Sequence, residues 1–147
     1  MKSSRPAFLF AFIFLISGMV QASDNGASQE IQETTPFVAY YFYTEPRCTT
    51  CQTIEKLTAE AIHNHFEKEL QDGQLSWRVI DIGREPNKHY IQTYSLYTKS
   101  VVIARMENGK PVDFMILQDV WELVHKPDEF DEYIEREITG FMQGTDE

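Results

Sequence analysis

Cys48-Thr49-Thr50-Cys51 holds both cysteines of this 147-residue chain. A Cys-x-x-Cys spacing lets two sulfurs meet in a tight loop, so the pair can cycle between a disulfide and two thiols. The run Phe37 to Tyr43 before it reads as a strand, and the residues after it read as a helix. A cysteine at a helix N-terminus faces unpaired backbone N–H groups and the positive end of the helix dipole, which stabilise its thiolate. Cys48 falls on the solvent side of the helix start and Cys51 on its apolar face. The first is therefore expected to attack and the second to resolve.

Three other uses of the pair compete with this one. As a structural staple it is poor, because the chain-entropy estimate for so short a loop is roughly 2 kcal/mol. A zinc site needs two more ligands, and the four histidines are His63, His65, His89 and His125. His63 and His65 stand two apart on a helix and face opposite sides. A copper site would draw on Met106 and Met115, which fit better as strand residues. No metal and no cofactor is expected, and Cys-x-x-Cys between a strand and a helix is a fairly specific redox signal.

The elements that position the pair follow from periodicity. FVAYYFY (37–43), bounded by Pro36 and Pro46, is a buried strand. A long helical stretch runs from Cys48 to a stop at Asp72-Gly73. It carries Ile54, Leu57, Ala61, Ile62 and His65 on one face, with Phe66 at its edge. Leu75 to Ile82 is a second strand, Pro86 to Tyr94 a short helix, and Ser100 to Met106 a third strand. Asn108-Gly109 marks a hairpin turn into a fourth strand, Val112 to Leu117. Asp128 to Met142 closes the chain as a helix with Phe130, Tyr133 or Ile134, Ile138 and Phe141 at helical spacing. The order is βαβαββα, an α/β protein with a central mixed sheet flanked by helices, which is the order of the thioredoxin fold. The two strand–helix units predict parallel strands, and the hairpin adds an antiparallel edge.

Composition narrows the function classes. Thirteen basic residues against 23 acidic ones give a formal charge of −10, which repels a phosphate backbone and argues against nucleic-acid binding. Met1 to Arg5 is basic, Ala7 to Ile16 is an unbroken apolar run, and Val20-Gln21-Ala22 offers a small-residue cleavage site. Residues 1–22 are thus expected to be a signal peptide, since the apolar run is shorter than a spanning helix needs. Removing Lys2 and Arg5 leaves 11 basic and 23 acidic residues, a formal charge of −12. A flexible leader is expected over 23–36 and one folded domain over 37–144, with no stable membrane span after signal removal. The expected location is periplasmic or secreted, where a close cysteine pair is stable as a disulfide.

Several residues near the pair bear on its reactivity. Arg47 adds a positive charge that favours a Cys48 thiolate, and Glu45 works the other way. The strand FVAYYFY holds no carboxylate to serve as a buried base for Cys51. His89 could approach the same end of the sheet, where functional loops gather. Trp77 and Trp121 are expected to be core or cover residues, and His65 a packed one. The acidic run 128–132 is expected to supply the first turn of the last helix, where negative charge is favourable.

Nearly the whole of the expected mature chain, 23–147, resembles one family of small exported bacterial proteins within the thioredoxin superfamily. YYFYTEPRCTTCQTIEKLTAEAI (40–62), HFEKEL, WRVIDIGREPNKHY, YSLYTKSVVI (94–103) and DVWELV (119–124) carry the likeness. That family is labelled nitrophenyl compound nitroreductase subunit, ArsF family. The resemblance implies that Cys48 and Cys51 are the redox pair and that Tyr97-Thr98-Lys99-Ser100 lies beside them. In thioredoxin-like proteins this loop ends in a cis-proline, and here that position falls on Ser100, or on Lys99. A cis bond before a non-proline residue costs about 3 kcal/mol, so a trans loop is expected. Lys99 and Ser100 then offer a cation and a hydroxyl near Cys48. Direct nitro reduction needs a flavin, and the chain has no Gly-rich phosphate cradle, so the label implies a subunit that passes electrons or supports a partner. The expected function is an exported thiol-disulfide oxidoreductase acting on a protein thiol or disulfide partner. The alternative is a non-catalytic accessory subunit of a redox system with a static disulfide.

Overall fold

The computed structural model describes residues 35–144. The expected signal peptide, and the leader up to residue 34, lie outside the described residues. At its end, the Pro36 carbonyl accepts the Met106 N–H at 2.7 Å, so pairing along the sheet starts just before the first strand.

Four strands form one mixed sheet: β1 (Phe37–Tyr43), β2 (Leu75–Asp81), β3 (Ser100–Glu107) and β4 (Lys110–Leu117). Their order is β2-β1-β3-β4. β1 therefore lies inside the sheet, and both of its faces are covered. Ala39 and Tyr41 join Val101, Ile103 and Leu117 in one core, while Val38, Tyr40 and Phe42 join Val102, Ala104, Ile82 and Tyr94 in another. A strand buried on both faces has no polar alternation to display, which accounts for the unbroken run FVAYYFY.

The first core is closed by two long helices, α1 (Thr49–His65) and, in sequence order after three short helices, α5 (Pro127–Gln143). α1 buries Cys51, Ile54, Thr58, Ala61 and Ile62, and α5 buries Phe130, Tyr133, Ile134, Ile138 and Phe141. Thr58 is tolerated there because its hydroxyl donates to the Ile54 carbonyl at 2.8 Å. His65 ties the two helices together. Its Nε2 lies 2.6 Å from Asp131 and its Nδ1 3.4 Å from Glu135.

Some expectations need correction. The helical stretch after Cys48 is two helices, because the backbone turns at Phe66 before α2 (Glu67–Gln71) and so buries the Phe66 ring. Gly73, with φ of +70°, then makes the exit. The single helix expected over Pro86 to Tyr94 is a 3-10 turn at Glu85–Asn87 followed by α3 (His89–Thr93). A further short helix, α4 (Val120–Leu123), precedes α5. Trp77 packs partly buried against the core, but Trp121 on α4 is exposed.

The larger correction concerns strand sense. β1 and β2 are parallel, as a strand–helix–strand unit predicts, but β3 runs antiparallel to β1, with Phe42 opposite Ser100. A parallel return would have to carry the chain back along a seven-residue strand, about 23 Å. α3, with five residues, spans only about 7.5 Å and does not run the length of the sheet. The connection, residues 82–99, leaves and re-enters the sheet at the same end. The hairpin is as expected: Glu107 pairs with Lys110, and Asn108 and Gly109 both have positive φ.

Burial pushes the Tyr133 hydroxyl up to about 12 and moves that of Tyr41 in the same direction. A phenol raised above its ordinary value of about 10 leaves stability intact below that pH. Stability is then lost as pH climbs towards the folded value, because the unfolded chain ionises first. Tyr133→Phe is expected to lose about 1 kcal/mol less stability than the parent between about pH 9 and about pH 11, read by urea unfolding at each pH. Equal losses in both proteins would contradict this.

Candidate redox site

The antiparallel return of β3 brings two loops together at one end of the sheet. One runs from the end of β1 to Cys48, and the other, 95–99, leads into β3. Cys48 is the N-cap of α1, in an extended conformation, and its sulfur accepts the Cys51 N–H at 3.2 Å. The helix has no acidic residue in its first turn. Cys48 and Cys51 are joined as a disulfide. Cys48 is exposed, whereas Cys51 is 2% exposed. The two sulfurs thus differ in access, and the accessible one sits where amide dipoles favour negative charge.

β1 holds the buried cysteine from below. The Tyr41 hydroxyl donates to the Cys51 carbonyl at 2.9 Å, and burial raises the pKa of that phenol, opposed by nearby Arg47. It is a fixed donor at neutral pH.

Arg47 does not offer its charge freely to Cys48. Its guanidinium forms an ion pair with Glu55 and lies over the Tyr43 ring, 4.4 Å from the centroid. Its own N–H donates to the Glu45 carboxylate at 3.1 Å. Glu55 is the site residue missed in the sequence. A signal was present, since Glu55 stands about two turns after Cys48, near enough the helix start for the long Arg47 side chain to reach.

Lys99 and Ser100 part company. The Lys99 ammonium donates to the Pro46 carbonyl at 2.9 Å and reaches the Cys51 sulfur at 3.6 Å. The expected cation is present, but it contacts the buried sulfur, because β3 begins opposite Phe42 and so brings its preceding residue to the cysteine end of the sheet. Ser100 is 7% exposed and its hydroxyl donates back to the Thr98 carbonyl at 3.0 Å, away from the sulfurs. The peptide before Ser100 is trans; among the described residues the cis bond is Glu45-Pro46. His89 is exposed, with its ring on the Pro86 carbonyl and against Tyr90, and is not brought to the cysteines. Beside the 95–99 loop lies an open groove of about 320 Å³ lined by Tyr97, Thr98, Ser100, Ile116 and Trp121. Tyr97 is 98% exposed. Among the described residues no cluster of three or more His, Cys, Asp or Glu could hold a metal, and no helix is long and apolar enough to cross a membrane.

No protein-family model and no curated protein matches this chain. Solved structures do. Human ERp44 in its zinc-bound form superposes with a TM-score of 0.51 at 17% identity, over 77% of this chain and 29% of that one. Oxidised thioredoxin from Plasmodium falciparum gives a TM-score of 0.43 at 14% identity, over 69% and 86%. At such identities the likeness is one of fold, and the chain spans under a third of ERp44. The fold is thioredoxin-like, with a Cys-x-x-Cys disulfide at the start of its first helix.

The Arg47–Glu55 pair makes a directional prediction for Cys48, tested in a Cys51→Ser background. Arg47→Met leaves Glu55 uncompensated and is expected to raise the Cys48 thiol pKa by about 0.5, roughly a threefold loss of thiolate. Glu55→Gln is expected to lower it by a similar amount, and the double variant to return to the parent. The pH dependence of iodoacetamide alkylation reads all three; a double variant no closer to the parent than either single would contradict the pairing.

Proposed function

We propose that this chain is an exported thiol-disulfide oxidoreductase of protein partners, with Cys48 attacking and Cys51 resolving. The observation that carries the reading is the asymmetry of the pair. Cys48 is exposed at a helix N-cap with an amide on its sulfur, while Cys51 is 2% exposed behind it. A purely structural disulfide has no use for that difference. Exposed Tyr97, on the loop that carries Lys99, and exposed Trp121, which lines one groove with it, favour a protein partner over a small molecule, since exposed aromatics are enriched where proteins meet. Export rests on the basic start, apolar run and small-residue cleavage pattern of residues 1–22. Membership of the ArsF family rests on the RCTTC and YSLYTKS segments, and within that family the chain would pass electrons to or from a second subunit.

In the reducing direction the Cys48 thiolate attacks one sulfur of a partner disulfide. A Cys48–partner bond forms and the partner's other sulfur leaves as a thiolate. The Cys51 thiolate then attacks the Cys48 sulfur, the Cys48–Cys51 bond forms, and the partner's second sulfur leaves. The partner gains two electrons and two protons, and the cysteine pair loses them. Run backwards, the same steps oxidise a partner dithiol.

Two measurements test this. Cys51→Ser is expected to accumulate mixed disulfides through Cys48, visible on non-reducing gels and lost in the Cys48→Ser/Cys51→Ser double variant. The reduction potential of the pair in glutathione buffers is expected between about −120 and −270 mV, with fast exchange. A potential below about −300 mV with slow exchange identifies a static disulfide and overturns the proposal in favour of an accessory subunit.

A further inference from the structure

Resolution of a mixed disulfide needs Cys51 as a thiolate, yet Cys51 is 2% exposed. Burial in apolar surroundings raises a thiol's pKa and starves it of the nucleophilic form. No carboxylate of β1 stands beneath it, since β1 is FVAYYFY. The nearest help comes from another direction. The Lys99 ammonium, carried by the loop before β3, lies 3.6 Å from the Cys51 sulfur and is anchored by the Pro46 carbonyl at 2.9 Å. That second bond spans 53 residues of sequence and holds the cation in place whether or not the sulfur is charged.

We propose that Lys99 is a catalytic residue of the resolving step, the fixed counter-cation that holds Cys51 as a thiolate when the Cys48–Cys51 disulfide is open. The inference rests on the oxidoreductase reading above and supplies the part of it that burial would otherwise block. When Cys48 is engaged with a partner, the Cys51 thiol loses its proton to solvent. The thiolate accepts a charge-assisted hydrogen bond from the Lys99 ammonium and then attacks Cys48, releasing the partner's sulfur as a thiolate. Lys99 keeps its protons throughout; its part is charge.

The other charged or titratable groups around Cys51 do not supply that charge. Tyr41 from β1 is a neutral donor committed to the Cys51 carbonyl. Arg47 is paired with Glu55 of α1, and Glu45 is bonded to the Arg47 N–H. Cys48 is consumed in the mixed disulfide. An opposite charge at this separation moves a pKa by about 1 to 3. Removing Lys99 should therefore cost at least tenfold in thiolate at neutral pH.

The test follows the reaction of the reduced protein with the aromatic disulfide DTNB. Cys48 releases one thionitrobenzoate, and attack by Cys51 then releases a second. Lys99→Met and Lys99→Gln are expected to slow the second release about tenfold near neutral pH, to leave the first within twofold, and to displace the second step's pH midpoint upwards. Lys99→Arg is expected to restore most of the rate. Glutamine can keep a bond to Pro46 without the charge, so a glutamine variant that behaves like the parent would overturn the proposal, as would an unchanged pH midpoint in both variants. A thiolate titration at 240 nm of Cys48→Ser, with and without Lys99→Met, reads Cys51 directly. If the parent releases no second thionitrobenzoate, the oxidoreductase reading fails. The titration then still decides Lys99: a raised Cys51 pKa in Lys99→Met supports its role as counter-cation, and an unchanged one refutes it.

Discussion

Phe42 at the end of β1 stands opposite Ser100 at the start of β3, and the geometry of the cysteine site depends on that antiparallel pairing. It places the residue after β1 and the residue before β3 at the same end of the sheet. From one side comes the turn through Pro46 into the cysteines, and from the other comes Lys99. The bond between the Lys99 ammonium and the Pro46 carbonyl closes the two loops on each other. With β3 parallel, Lys99 would emerge at the opposite end, a strand length away.

The two cysteines then take different environments from one helix. As N-cap, Cys48 lies outside the first turn with the Cys51 amide aimed at its sulfur. Cys51, one turn in, falls on the face that α1 packs against the sheet, and Tyr41 holds its carbonyl from below. One sulfur is open to water and the other is almost covered. The burial that protects Cys51 also raises the cost of ionising it, which makes a neighbouring cation valuable there and nearly redundant at Cys48.

The remaining charges near the site balance one another. Arg47 would act on Cys48 if it were alone, but Glu55 of α1 lies within reach and the Tyr43 ring lies under the guanidinium. The pair holds the approach to the helix in place and contributes little net field. The groove beside the 95–99 loop carries exposed Tyr97 and Trp121 instead of charge.

Local pattern determined much of this protein. Apolar runs without alternation marked the inner strands, helical spacing marked the buried faces of α1 and α5, and Asn108-Gly109 marked the hairpin, because each rests on neighbours in sequence. The Cys-x-x-Cys loop at a helix start was legible for the same reason, and so was the different exposure of its two sulfurs. The tertiary structure decided the rest. The sense of β3 is set by its antiparallel pairing with β1, since the 82–99 connection is long enough for either sense. Which sulfur Lys99 touches, how Glu55 silences Arg47, and where Ser100 turns its hydroxyl depend on side chains meeting across separate elements. Lys99 and Cys51 are 48 residues apart, and only the register of β3 on β1 brings a charge to that sulfur.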